Sequence, residues 1–213
     1  MSKLTSRIVT GLLWLFALCL VPGGMLWTAS PLGIFLANGR LINGSDVFWM
    51  LFPSAPLLLG IGLVGLWAAG SLGGGWLTRL SAVAALAGLA MVIAGIIGQF
   101  WLSLDETYTI AAPAYRTFRL GLIVTAIGAL LVGVSGIRAR ALPLWGALPF
   151  MAAALCGLVA FVWELGTAGS GLWSIFGAGW VWLGFSVVAS KLAALLQNKW
   201  SLRRSGKAST DSA

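Results

Sequence analysis

The chain has 213 residues, of which 60% are hydrophobic and 8% charged, with a net charge of +8 and a mean hydropathy of +0.99. A soluble domain needs charge at roughly a quarter of its positions, so this surface has to meet lipid, and the positive balance reads as membrane orientation rather than nucleic-acid binding. There is no histidine and there are only five acids, which excludes histidine-held haem, zinc or copper and the commonest general base, and argues against a carboxylate metal cage.

A helix needs about 20 apolar residues to cross the hydrocarbon core. Six segments qualify: 8–28, 47–70, 80–102, 118–137, 142–165 and 172–196. The expectation is an all-α polytopic bundle over residues 1–200, followed by a basic, polar tail at 201–213 expected to be disordered.

The first span follows Lys3 and Arg7 and ends near Thr28-Ala29-Ser30, a signal-peptide-like layout. Its apolar run continues through Pro22-Gly23-Gly24 to Trp27, which favours an uncleaved span. The second span carries Pro53-Ser54-Ala55-Pro56. Pro22 and Pro53 are each six residues from the outer end of their spans, a common depth of roughly 9 Å. Broken helices are tolerated in a membrane beside protein or a water-filled cavity, and paired breaks point to binding sites in transporters. Pro22, Gly23, Gly24, Pro53, Ser54 and Pro56, with Gln99 from the third span, therefore form the candidate outer cavity. The blander reading is a pair of proline bends near helix ends.

Small residues recur at every fourth position: Gly65 and Ala69 in span two, Ala90, Ala94 and Gly98 in span three, Gly121, Thr125, Ala129 and Gly133 in span four. Such stripes let helices approach closely, and packing within the bundle accounts for them better than a dimer face. Asp105 and Glu106, which follow span three, and Arg116 and Arg119, which open span four, are candidate outer-face charges, joined by Glu164 at the end of span five. They suit a cation or zwitterionic headgroup, or are solvated loop charges pairing at little energetic value. Arg138 and Arg140 close span four, where cations complement the helix dipole, and Pro143 opens span five, where no N–H is required. Cys19 and Cys156 sit mid-span, form no C-x-x-C and read as apolar filler. Gly169-Ser170-Gly171 has no histidine to activate its serine. Trp173, Phe176 and Trp180 form a stripe on span six, and Trp27, Trp49, Trp101, Trp163 and Trp173 form an outer aromatic belt, matched inside by Trp76, Trp145 and Trp200.

With six crossings, ten cations fall on one side: Lys3, Arg7, Arg79, Arg138, Arg140, Lys191, Lys199, Arg203, Arg204 and Lys207. The other side holds Arg40, Arg116 and Arg119 with four of the acids, Asp46, Asp105, Glu106 and Glu164. Both termini are therefore expected to be cytoplasmic.

The stretch from Gly133 to Trp145, with Arg138, Arg140 and Leu142-Pro143-Leu144-Trp145, resembles the cytoplasmic hairpin of bacterial multi-pass inner-membrane proteins that have no assigned activity. Gly65-Leu66-Trp67 and Arg79 resemble their preceding hairpin, and the likeness covers about half the chain. It implies a helical bundle in the bacterial inner membrane, and no mechanism. The expected function is non-enzymatic, without cofactor: binding or transport of a small, largely apolar molecule or lipid. The alternatives are an accessory subunit contacting another membrane protein or a second copy, and the substrate-binding subunit of a vitamin-type importer. The expected partner in every case is the bilayer, not nucleic acid.

Overall fold

The computed structural model describes residues 11, 14–37, 51–99, 110–163 and 166–210, the side chains of 32–37, 111, 166–168, 170 and 194–210 excepted. It contains α1 (Leu20–Ala37), α2 (Ser54–Ala68), α3 (Trp76–Ile97), α4 (Ala111–Arg138), α5 (Leu144–Trp163) and α6 (Gly166–Thr210), and no strand among the described residues. Five segments are long and apolar enough to cross a membrane: Trp14–Pro31, Trp76–Ile97, Ala112–Arg138, Leu144–Trp163 and Gly171–Ala193. The sixth expected span contains α2, whose 15 residues reach only about 22 Å against a hydrocarbon core of about 30 Å.

Prolines account for the two short or broken elements. Helical residues 14–18 are separated from α1 by a turn at Cys19. Pro22 follows three residues later, lacks the N–H that would bond Leu18, and crowds that carbonyl with its ring. Pro53 is the residue before α2, with φ −58° and ψ −26°, and Pro56 sits in its first turn. Both occupy positions where a helix has no use for an N–H, so α2 begins at Ser54; Leu51 is helical before the turn at Phe52 and Pro53, and residues 47–50 of the expected span lie outside the described residues.

Elsewhere the helices overrun the sequence expectation. α4 begins at Ala111, not 118, because Pro113 fits its first turn, and Arg116 is a helical residue like Arg119. α1 runs on to Ala37 through Pro31, which takes up much of the outer loop expected from 29 to 46. α6 continues to Thr210, so the tail expected to be disordered is helical that far. Its Lys and Arg residues suit the negative end of the helix dipole.

Each helix packs on the next in sequence, and α6 closes on α1, giving a ring of six. Close approaches between neighbours show rising residue numbers on one helix against falling numbers on the other: Gly88 faces Thr125 and Gly95 faces Phe118 across α3 and α4, while Gly157 faces Phe176 and Gly146 faces Ser186 across α5 and α6. The same holds for Gly24 against Val181 and Gly177 against Thr28, joining α1 to α6. Neighbours around the ring are therefore antiparallel.

The centre of the bundle is filled by rings. Trp27 meets Phe52 at 5.1 Å and Phe176 at 5.5 Å between centroids, Phe52 meets Trp173 at 5.5 Å, and Phe150 meets Trp180 at 5.0 Å, all edge-to-face. Phe118 and Phe161 join through Trp173. Such pairs contribute about 0.5–1.5 kcal/mol each beyond area burial. Trp27 is fully buried, 0% exposed, and so is a core residue rather than a belt residue. Its neighbour Gly24 packs on α6, which turns Trp27 inward. Trp163 and Trp76, at 67% and 75% exposed, do belong to the surface. Trp49 and Trp101 lie outside the described residues, as does the side chain of Trp200.

Candidate functional site

The structure opens one seam of the ring. A groove of ≈ 530 Å³ lies between α2 and α3, walled by Pro56, Leu57, Ile61 and Val64 on one side and Leu86, Leu89 and Ile93 on the other. Gly60 and Ala90 form its floor, and Phe16 stands at its edge. Every lining residue is apolar. Leu57, Ile61 and Val64 are exposed on the outside of the ring, so the groove is lateral and faces what surrounds the bundle.

The groove follows from how α3 distributes its small residues. One face carries Ser81, Ala85, Gly88, Val92 and Gly95, all buried. A Cβ at Gly88 would collide with the Thr125 backbone, and one at Gly95 would come within 2.5 Å of the Phe118 backbone. That face is shut against α4, and Ser81 and Ser135 approach to 3.4 Å across it. On the opposite face a Cβ at Gly60 of α2 would meet only Leu86, at an ordinary 3.8 Å. Small side chains thus close one seam because the backbones meet there, and leave the other open because they do not.

The proposed cavity residues divide. Pro56 lines the groove. Pro22 is exposed, in the first turn of α1. Gly23 packs on α2, where a Cβ would lie 2.9 Å from the Leu59 amide nitrogen, and Gly24 packs on α6, 2.7 Å from that of Val181. The seam between the first two spans, where the sequence placed the cavity, is therefore closely packed at Gly23, and the open seam lies one helix further on. Pro53 and Ser54 shape the start of α2, with the Ser54 hydroxyl bonded to the Leu51 carbonyl. Gln99 donates to the Gly95 carbonyl at 3.2 Å, within its own helical run.

The outer charges also divide. Arg119 donates from Nε and from its terminal nitrogen to the carbonyls of Phe161 and Val162, at 3.4 and 3.2 Å. It caps the C-terminal end of α5, where the dipole is negative. Arg116 is exposed on α4, and Asp105, Glu106 and Glu164 lie outside the described residues, as do Arg40 and Asp46. Ala90 and Ala94, expected as a packing stripe, are exposed instead, whereas Gly121, Thr125, Ala129 and Gly133 pack inside the bundle as expected.

At their C-terminal ends, α2 and α4 close with the same motif. Gly70, at φ +67°, donates to the Trp67 carbonyl while Ser71 donates back to Leu66, each at 3.0 Å. Arg140, at φ +52°, donates to Ile137 while Ala141 donates to Gly136, each at 2.9 Å. Both are Schellman ends. The two loops touch, since a Cβ on Gly73 would collide with that of Ala139. Arg79, Arg138 and Arg140 are exposed around this end, and Lys191 lies over the Trp14 ring, 5.7 Å from its centroid. Among the described residues, four buried polar side-chain atoms make no hydrogen bond: the indole nitrogens of Trp27, Trp173 and Trp180 in the aromatic centre, and the Ser71 hydroxyl in the α2–α3 loop. Both cysteines are free. No group of metal-ligating side chains occurs among the described residues.

Neither the lateral groove nor its apolar lining was legible in the sequence as a site, because periodicity cannot say which of two small-residue faces meets a neighbour. The chain matches no family model, no curated protein and no solved structure.

Proposed function

We propose that this is a non-enzymatic, six-pass protein of the bacterial inner membrane, with both termini cytoplasmic, that binds a small apolar molecule or a lipid chain in the lateral groove between α2 and α3. The carrying observation is the groove itself: ≈ 530 Å³ of wholly apolar lining on a face of the ring that is not shut by helix packing. A site of a few hundred Å³ suits a small ligand, and a lining without hydrogen-bonding side chains selects by shape and apolarity. The aromatic rings that fill the outer centre favour lateral binding over a path through the bundle.

Six crossings are supported by the alternation of neighbours around the ring. An even number returns the chain to its starting side, and Lys191 of α6 lying over Trp14 of the first helical segment places those two positions at the same end. That end also carries Arg79, Arg138 and Arg140, as the positive-inside rule requires of a cytoplasmic face. The short α2 crosses by drawing the bilayer in around it.

Two measurements test this. Single cysteines in a Cys19→Ser, Cys156→Ser background, placed at Gly74 and at Ile110, should react with a membrane-impermeant maleimide from opposite sides of sealed vesicles; reaction of both from one side removes the even-numbered topology. Filling the groove with Gly60→Leu or Ala90→Trp should lower labelling by an apolar diazirine probe by several-fold. Undiminished labelling would remove the groove as the site.

A further inference from the structure

We propose that the occupant of the groove is an anionic phospholipid of the inner leaflet, its phosphate held at Arg79 and one acyl chain lying along α3. The proposal rests on the groove being the binding site and adds the identity of what fills it.

The first observation is register. Arg79, Leu86, Ala90 and Ile93 fall at i, i+7, i+11 and i+14 on α3. At 100° per residue these positions lie within about 60° of one another, on one helix face. Arg79 is therefore on the strip of α3 that walls the groove, at its inner end. The distances also suit a lipid. Leu86 is about 10 Å from Arg79 along the axis and Ile93 about 21 Å. Half of a ~30 Å core is about 15 Å, which falls beside Leu89 and Ala90. An inner-leaflet lipid with its phosphate at Arg79 has the lower part of its chain at the start of the groove and its end within it.

The second observation is charge. Arg79 is exposed, and among the described residues, which include no Asp or Glu, its side chain makes no hydrogen bond or ion pair. α3 begins after Gly75 with no side-chain cap and no acid in its first turn. Its first amide groups and the positive end of its dipole thus face the same inner surface as the Arg79 guanidinium. A phosphodiester satisfies both: its oxygens accept two parallel hydrogen bonds from the guanidinium and others from the first amide N–H groups of the helix. A neutral apolar ligand would use the groove and leave both of these features unused.

The test uses the full-length protein, purified in mild detergent and offered equal phosphatidylglycerol and phosphatidylcholine of identical chains, with retained lipid counted by native mass spectrometry. One cation near the phosphate predicts about a fivefold preference for phosphatidylglycerol. Arg79→Gln should bring the ratio close to one without lowering phosphatidylcholine retention, Arg79→Lys should keep most of the preference, and Arg140→Gln, on the α4–α5 turn, should change it less than Arg79→Gln. Equal retention of the two lipids by the native protein overturns the proposal, as does an Arg140→Gln effect equal to that of Arg79→Gln, which would mean diffuse charge rather than a located phosphate. Displacement of phosphatidylglycerol by excess glycerol phosphate overturns it too, because the site would then read a free phosphate ester. Ala90→Trp separates the two layers of the argument: lost retention of both lipids supports the groove, and unchanged retention of both removes the groove reading itself.

Discussion

Neighbouring residues on α3 are predicted to respond in opposite ways to added bulk. Gly88 has the Thr125 backbone where its Cβ would be, and backbone cannot step aside as a side chain can. Gly88→Val should cost about 1–3 kcal/mol through overpacking, read as a lower thermal unfolding midpoint in detergent. Ala90→Trp, two residues on, should leave that midpoint nearly unchanged because its side chain enters the groove. Arg140 offers the reverse case. It holds a left-handed backbone at φ +52°, which costs an L-residue roughly 1–2 kcal/mol. Arg140→Gly should therefore raise stability by about 0.5–1 kcal/mol after the greater chain entropy of glycine is subtracted, and a lower midpoint would contradict the Schellman assignment. At the outer face, Arg119→Leu removes two charged donors from the α5 carbonyls and should cost about 1.5–3 kcal/mol. In the sequence that side chain is a charge at the opening of the fourth span, and its partners are not legible because hydropathy does not say which carbonyls a charge at a span end meets. In the fold Pro113 and Arg119 lie in the opening turns of α4, where the interface tolerates charge and the helix tolerates proline.

The elements were legible where apolar length decides them. The cores of α3, α5 and α6 lie within the spans expected from the sequence, since a run of about 20 apolar residues has few alternatives in a bilayer. The first two spans were harder, and proline explains both. Pro22 and Pro53 were noticed as a matched pair of breaks, which they are, but their effect is on helix geometry. Pro22 interrupts the first span at Cys19, and Pro53 fixes where α2 starts while Phe52 turns into the aromatic centre. Neither opens a cavity between α1 and α2, because Gly23 lets the two helices meet at Leu59. Pro22→Ala should restore a bond to the Leu18 carbonyl and straighten the first helix, and it should leave groove labelling unchanged. A several-fold loss of labelling would return the site to the break where the sequence first placed it.

For the molecule as a whole, sparse charge decides that the chain lives in lipid, and the closed antiparallel ring decides what it can offer there. Small residues shut most seams, aromatic rings fill the outer centre, and α2, shortened by its prolines, leaves one lateral groove beside α3. The stripes that make this arrangement were visible beforehand in Gly121, Thr125, Ala129 and Gly133, and the stripe on α3 was misplaced to Ala90 and Ala94, which face the groove and the surroundings rather than α4. Two small-residue faces on one helix have the same period, and only the partner distinguishes them. The account depends on that distinction, and the most direct measurement is to photolabel the protein in bilayers with an apolar diazirine probe and map the adducts by peptide mass spectrometry. Labelling concentrated on Leu57, Ile61, Leu86 and Ile93, and abolished there by Ala90→Trp, is the predicted result. Labelling spread evenly over lipid-facing positions such as Leu120, Leu155 and Phe185, and unaffected by Ala90→Trp, would contradict it.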